Sequence, residues 1–411
     1  MAEPLSLRLY LAAAHLIPLA APFVLRGRLA RGREDAARWR EKLGEPSAAR
    51  PAGRLVWLHA VGIGEVMALR GLVGAMAARD ADLQFLVTSS ARSSAQVFAG
   101  NLPERTIHQY LPLDAPHYLA RFLDHWRPHL SVWAEQDLWP GAVVAADRRG
   151  VPLALVNARM NERSFLNRRR FKRLYSDLHA RFQLVAAQDD ATAGHLRALG
   201  ARDVRVTGSL KSAAPPLSAD AAELARLRAA LAGRRLWVAA STHAEDEAVA
   251  LAAQAALWRQ SHDWLMILAP RVPGRQVAMD LPHARRSTGE VAGPDHAVWL
   301  ADTFGELGLW YRLAPVALMG GTFGPVEGHN PWEPASLGVA VLHGPHFANF
   351  RNDYKALQDA DAARQIAGAD LAAALSGIGT ADMGARGKAL AMAARDGLDP
   401  LARDLLGLMD G

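Results

Sequence analysis

Several stretches of this 411-residue chain place reactive or anion-binding side chains directly after an apolar run. In His59-Ala60-Val61-Gly62-Ile63-Gly64-Glu65 an apolar run passes through a Gly-x-Gly turn into a helical pattern. This is half of a dinucleotide fingerprint, with Met67 where the third glycine would stand. Such glycines let a ligand approach the backbone, and helix N-terminal amides suit an anion. Glu65 reads either as a helix-start carboxylate favoured by the dipole or as a general base. Glu135-Gln136-Asp137-Leu138-Trp139-Pro140 puts two acids and an aromatic after another run, which suits a binding site or an Asp137 helix cap with a packed Trp139. In Asn157-Ala158-Arg159-Met160-Asn161-Glu162-Arg163-Ser164, Arg159 and Arg163 suit a phosphorylated ligand or surface ion pairs. Lys211, in Gly208-Ser209-Leu210-Lys211, reads as a ligand contact or a solvated linker lysine.

The second half repeats the pattern. Ser241-Thr242-His243, Ala269-Pro270-Arg271, Asp302-Thr303-Phe304-Gly305-Glu306 and Gly320-Gly321-Thr322 each end an apolar run, and His329-Asn330-Pro331-Trp332-Glu333 starts a helix. Glycines, a helix N-terminus and Arg271 together predict a metal-free phosphate site, with Glu333 accepting from ribose hydroxyls. There is no G-x-x-x-x-G-K-[ST] and no G-x-S-x-G, which excludes a Walker-type site and a nucleophile elbow. The chain has no cysteine, which excludes disulfides, thiolate metal sites and a cysteine nucleophile. Asp80/Asp82 and Asp359/Asp361 read as solvated pairs in helical surroundings, and His343 and His346 lack a third ligand, so no metal is expected.

The elements that must position these residues alternate strand and helix. Apolar runs at 54–61, 83–88, 106–111, 130–133, 151–157 and 182–187 predict strands, with helices between them. The small-residue segment 209–221, with Pro215-Pro216, reads as a linker. The alternation restarts with strands at 236–240, 264–269, 297–301, 316–319 and 339–343, and closes in a helical stretch over 381–409. This predicts two doubly wound α/β domains, with ligands at the carboxyl ends of the strands and in the cleft between the domains.

The formal net charge is +6, and Arg and Trp are scattered rather than interleaved on one element, which argues against nucleic acid. Leu9–Leu25 carries no formal charge, contains Pro18 and Pro22, and is followed by Arg26, Arg28, Arg31 and Arg33. It reads as a membrane anchor or monotopic insertion, with the main body on the cytoplasmic side. A core helix and a signal peptide are the competing readings.

Together the segments at 59–66, 135–140, 157–164, 208–211, 241–243, 269–271, 302–308 and 320–338 resemble the 3-deoxy-D-manno-octulosonic acid (Kdo) transferases of lipopolysaccharide synthesis. The resemblance runs from the N-terminus to about Tyr354. It implies a GT-B glycosyltransferase: two Rossmann-like domains facing a cleft, behind an N-terminal membrane-anchoring helix. The expected division is 1–45 anchor and basic segment, 46–212 acceptor domain, 213–385 donor domain and 386–411 C-terminal helix. It implies CMP-Kdo as donor, a lipid A precursor as acceptor, the cytoplasmic face of the inner membrane as location, and neither cofactor nor metal. Glu65 matches the family's base. Glu135 or Asp137, and Lys211, match transition-state contacts. Pro270, Arg271, Phe304, Gly305, Glu306, Asn330, Pro331, Trp332 and Glu333 match CMP-binding segments, and Gly62, Gly64, Arg159 and Arg163 lie on the acceptor side. The chain departs from the family pattern in having Gly62 for serine, Gln136, Asp137 and Gly141 around L-W-P, Ser212-Ala213 after the lysine, and Val326-Glu327. A GT-B paralogue with another acceptor or nucleotide sugar, and a non-catalytic membrane-associated relative, are the competing functions.

Overall fold

A computed structural model describes residues 3–135, 137–377 and 379–410, apart from the side chain of Ser93. Gln136 of the Glu135–Pro140 motif and residues 1 and 2 of the expected anchor lie outside the described residues. The chain divides into two compact units, Met1–Ala214 with Asp396–Gly411, and Pro215–Arg395.

The first unit holds strands β1 (Leu55–His59), β2 (Gln84–Ser89), β3 (Thr106–Tyr110), β4 (Leu130–Ala134), β5 (Leu153–Ala158), β6 (Leu184–Ala187) and β7 (Val204–Val206). They form one parallel sheet in the order β3-β2-β1-β4-β5-β6-β7. Every residue of β1, β4 and β5 is buried, as the runs LVWLH, LSVWA and LALVNA require of strands covered on both faces. Trp57 meets Phe122 and Trp133 at centroid distances of 5.1 and 5.5 Å and anchors this core. The order reverses between β1 and β4, and that switch point is where open α/β sheets bind ligands.

The second unit repeats the plan with β8 (Arg235–Thr242), β9 (Trp264–Pro270), β10 (His283–Arg285), β11 (Val298–Leu300), β12 (Val316–Met319), β13 (Ala340–His343) and β14 (Ala363–Gln365). Its parallel order is β10-β11-β9-β8-β12-β13-β14, with the switch point between β8 and β12. The eleven strands expected from apolar runs are all present. The three unforeseen ones, β7, β10 and β14, are three-residue strands at sheet edges with no apolar run to betray them.

Two expectations change. The apolar N-terminal segment is two helices, Leu5–Ala14 and Ile17–Ala30, bent by 56°. Pro18 explains the break: its ring clashes with the carbonyl four residues back, at Ala14, where the first helix stops. Among the described residues no single helix is long and apolar enough to cross a membrane, although the bent pair together meets the requirement of length and composition. The C-terminal helical stretch is also two helices, Thr380–Asp396 and Leu398–Gly407. The second packs on Ile63–Arg79 of the first unit, where Arg79 Nε donates to Asp399 at 2.6 Å. Asp80 and Asp82 lie just past the end of helix Ile63–Arg79, outside regular helix, because the helix stops at Arg79.

Candidate functional site

In the first unit, β1 and β4 deliver Glu65 and Glu135 on either side of the switch point. Helix Ile63–Arg79 starts four residues beyond the His59 end of β1. Glu65 caps it: one carboxylate oxygen, Oε2, accepts from the amides of Val61 and Gly62, both at 3.0 Å. The two readings of this residue are therefore compatible, because Oε1 accepts no hydrogen bond among the described residues. A Cβ on Gly62 would lie 3.2 Å from Oε1, so the glycine leaves room for that free oxygen. Burial, and after it the Glu135 carboxylate, push the Glu65 carboxyl up; the two amides and Lys211 pull the other way.

Glu135 follows β4 and pairs with Lys211, Nζ to Oε1 at 2.9 Å, with both side chains about one-tenth exposed. Lys211 is thus a buried ion-pair partner rather than a solvated linker residue. Glu135 sits at φ +63°, a left-handed conformation that a non-glycine residue adopts at a cost. Asp137 is exposed, and neither hydrogen-bonded nor ion-paired to Glu65, Glu135 or Lys211. Nor does Asp137 cap the next helix, Pro140–Asp147. Asp114 does so from a distant loop, accepting from the Gly141 and Ala142 amides at 2.8 Å and from Tyr10 Oη at 2.6 Å. A Cβ at Gly141 would collide with that carboxylate at 2.8 Å, which explains the glycine after L-W-P.

Gly64 is exposed and nothing lies within 4 Å of where its Cβ would be. Arg163 is exposed and Arg159 half-buried, and among the described residues neither has an ion-pair partner, so the surface-salt-bridge reading does not hold. His59 is buried at the end of β1 with Nδ1 2.9 Å from Thr88 Oγ1, and burial lowers its imidazole to about 3. Burial thus disfavours its charged form, and its ring packs edge-on against Trp133.

In the second unit the expected phosphate cradle is rebuilt. The amides of Gly321, Thr322 and Phe323, after β12, all donate to Asp246, at 2.6, 3.1 and 3.0 Å. Asp246 also accepts from the His243 amide at 2.9 Å, at the start of helix Ala244–Gln260. These amides already hold an anion of the chain itself, so they are not open to a phosphate. The helix at Trp332–Ala335 is only four residues long, too short for a strong dipole. Side chains remain near the strand ends instead. Arg271 is exposed just past β9, its amide donating to the Thr242 carbonyl at 3.0 Å. His243 and His329 stack, with their Nε2 atoms 3.0 Å apart. Burial first, then Arg271 and His243, lower His329 to about 4.

Pro270 ends β9 and is buried. Asn330 accepts from the Trp332 amide at 3.1 Å, Pro331 precedes the short helix, and Trp332 Nε1 donates to Asp353 at 2.8 Å. Burial pushes the Glu333 carboxyl up to about 7, opposed by Asn330 and Arg271. Phe304 is exposed and Gly305 has φ +83°. Glu306 is held by Arg286 at 2.6 Å and by Thr303, in a surface chain that continues to Glu223; its carboxylate is committed to the fold. Among the described residues no group of three or more His, Asp or Glu is arranged to hold a metal ion, and His343 is buried with Nδ1 2.8 Å from the Gly344 carbonyl.

Sequence reasoning missed Asp114 and Asp246, and gave Asn157 no role of its own within the Asn157–Ser164 segment. Asp246 had a signal, the carboxylate three residues into a helix. Asp114 had none, because its partners lie 27 and 28 residues on.

Two parallel Rossmann-like sheets, each with polar residues gathered at its switch point, make up the GT-B fold. The spinosyn rhamnosyltransferase SpnG shares this fold, at a TM-score of 0.52 and 14% identity over 87% of this chain and 100% of that one. A family model described as 3-deoxy-D-manno-octulosonic-acid transferase (kdotransferase) matches residues 37–214. The probable mitochondrial 3-deoxy-D-manno-octulosonic acid transferase of Arabidopsis thaliana is 35% identical over 373 residues, covering 86% of this chain and 83% of that protein. The 3-deoxy-D-manno-octulosonic acid transferase of Rickettsia bellii is 31% identical, covering 82% of each. The chain belongs to the 3-deoxy-D-manno-octulosonic acid transferase family.

Proposed function

We propose that this protein transfers Kdo from CMP-Kdo to a lipid A precursor at the cytoplasmic face of the inner membrane, by direct inverting displacement without a metal. The carrying observation is the Glu65–Glu135–Lys211 group at the first switch point, in a chain of this family. The Glu65 carboxylate takes the proton of the acceptor hydroxyl as that oxygen bonds the anomeric carbon. The bond from that carbon to the phosphate oxygen breaks, and CMP leaves with the electron pair. A carboxyl raised by burial is a stronger base once ionised.

The donor's single phosphate meets side chains, Arg271 and the His243–His329 pair, rather than an amide cradle. Exposed Arg163 suits a phosphorylated acceptor. Leu16, between the two N-terminal helices, and Leu19, Phe23 and Val24, in the second, are 55–73% exposed, and Arg26 and Arg28 lie towards the C-terminal end of that same second helix. Such a face suits insertion into one leaflet, with the arginines on anionic headgroups.

The test gives purified protein in detergent CMP-Kdo and lipid A precursor with EDTA present, and reads products by mass spectrometry. A gain of one or more Kdo units, lost in Glu65→Ala, is expected. CMP binding without any mass gain would overturn the proposed acceptor or sugar and favour a paralogue with other substrates. Absence of CMP binding by folded protein would favour a non-catalytic relative.

A further inference from the structure

We propose that Asn157 is a positioning residue that sets the Lys211–Glu135 pair beside Glu65, an inference that rests on the transfer reading above. Asn157 is buried near the end of β5, next to β4. The β5–β6 register shifts between Leu155 and Ala158, and Asn157 takes φ +53° within that irregularity. Irregularities of this kind re-aim a side chain, and asparagine tolerates the left-handed region better than most residues.

The re-aimed amide group joins three segments. Its Nδ2 donates to Glu135 Oε1 at 3.4 Å, the same oxygen that meets Lys211 at 2.9 Å. Its Oδ1 accepts from the Leu210 amide at 2.9 Å, which ties down the loop that carries Lys211. Gln188 Nε2 braces it, donating to Oδ1 at 2.9 Å and to the Asn157 carbonyl at 3.0 Å. One side chain thus fixes the carboxylate of the pair and the backbone next to its cation. Without it the Lys211 loop loses a buried tether, and Glu65 loses part of the cationic influence that Lys211 exerts on it.

Two variants separate backbone from side chain. Asn157→Gly keeps φ +53° at little cost and deletes both links. Asn157→Asp keeps the acceptor for Leu210 but places a charge beside Glu135. The chain has five lysines, so lysine-labelled protein gives a tractable set of side-chain NMR signals, with Lys211 assigned from Lys211→Arg. In Asn157→Gly the Lys211 signal is expected to shift while the other four stay, kcat to fall about 10–100-fold with KM for donor within about twofold, and the acid limb of the rate profile to move to higher pH. In Asn157→Asp the Leu210 tether stays, but the new charge beside Glu135 is expected to move both the Lys211 signal and the acid limb, the latter to higher pH; an unmoved acid limb overturns the inference. An unmoved Lys211 signal in Asn157→Gly, or a rate loss that only follows the folded fraction, overturns the inference. A moved Lys211 signal in a protein whose wild type transfers no Kdo upholds the positioning role and overturns the transfer reading instead.

Discussion

In the transfer proposed above Glu65 has two tasks, which a pair of substitutions can pull apart. Oε2 caps helix Ile63–Arg79, and Oε1 is free to take a proton. Glu65→Gln keeps an amide oxygen that still accepts from Val61 and Gly62, but it cannot act as a base. Glu65→Ala loses both functions. Losing the cap costs about 0.5–2 kcal/mol. Losing the base costs about 10²–10⁴ in rate, or about 3–5.5 kcal/mol of barrier. The charge adds a third effect. Burial and Glu135 raise this carboxyl above its unfolded value, so the stability it contributes is full below the unfolded value and is lost as pH rises through the folded one. At pH 8 Glu65→Gln is therefore expected to melt at or above the wild-type temperature, and Glu65→Ala below it, while both lose transfer about equally. The assay is single-turnover transfer at saturating donor, with melting followed by circular dichroism. Turnover within threefold of wild type in Glu65→Gln refutes the base. A rate loss in Glu65→Gln matched by a lower melting temperature refutes the separation of the two tasks.

Lys211→Met leaves Glu135 buried and unpaired, which costs about 3–5 kcal/mol in denaturant unfolding; adding Glu135→Gln should restore most of it, and a cycle without recovery contradicts the buried-pair account. The same single variant removes a charge that lowers Glu65, so the acid limb of transfer should move to higher pH. Glu333, raised to about 7 from 4.5, should make donor-free protein lose up to about 3 kcal/mol of stability between pH 4.5 and 8, and Glu333→Gln should flatten that slope; parallel slopes would rule it out. Replacing Leu19 and Phe23, 72% and 73% exposed, by glutamate should abolish flotation with anionic vesicles, and undiminished flotation would place the membrane contact elsewhere.

The strands were legible where they are buried on both faces, because LVWLH or WLMILAP has no other stable environment. The edge strands were not, since Val-Arg-Val or His-Ala-Arg carries no period. Glu65 and Glu135 were legible as candidates because each follows the end of an apolar strand, and Lys211 because Gly208-Ser209-Leu210-Lys211 matches the family pattern. Their meeting was not, because it depends on strand order: β1 and β4 are neighbours only once the sheet reverses. The glycines at 320 and 321 suggested a phosphate cradle. A glycine turn after a strand looks the same in sequence whether its amides meet a ligand or an internal carboxylate, and here they meet Asp246.

That substitution of Asp246 for a ligand bears on what the second sheet can bind. Each sheet has helices whose N-terminal amides would ordinarily hold an anion, and each satisfies a set with its own carboxylate: Glu65 and Asp114 in the first unit, Asp246 in the second. An incoming phosphate would have to displace a carboxylate already accepting four amides. Displacement would leave Asp246, fully buried, without its donors, at a penalty of several kcal/mol. A pyrophosphate donor, which relies on such amides, is disfavoured on that account. On the transfer proposed above, a donor with one phosphate would meet Arg271 and the paired imidazoles, which lie at the ends of β8 and β9 and beyond β12. Under the proposed transfer, the single phosphate of the leaving group is the donor chemistry that asks nothing of the amides already committed to Asp246.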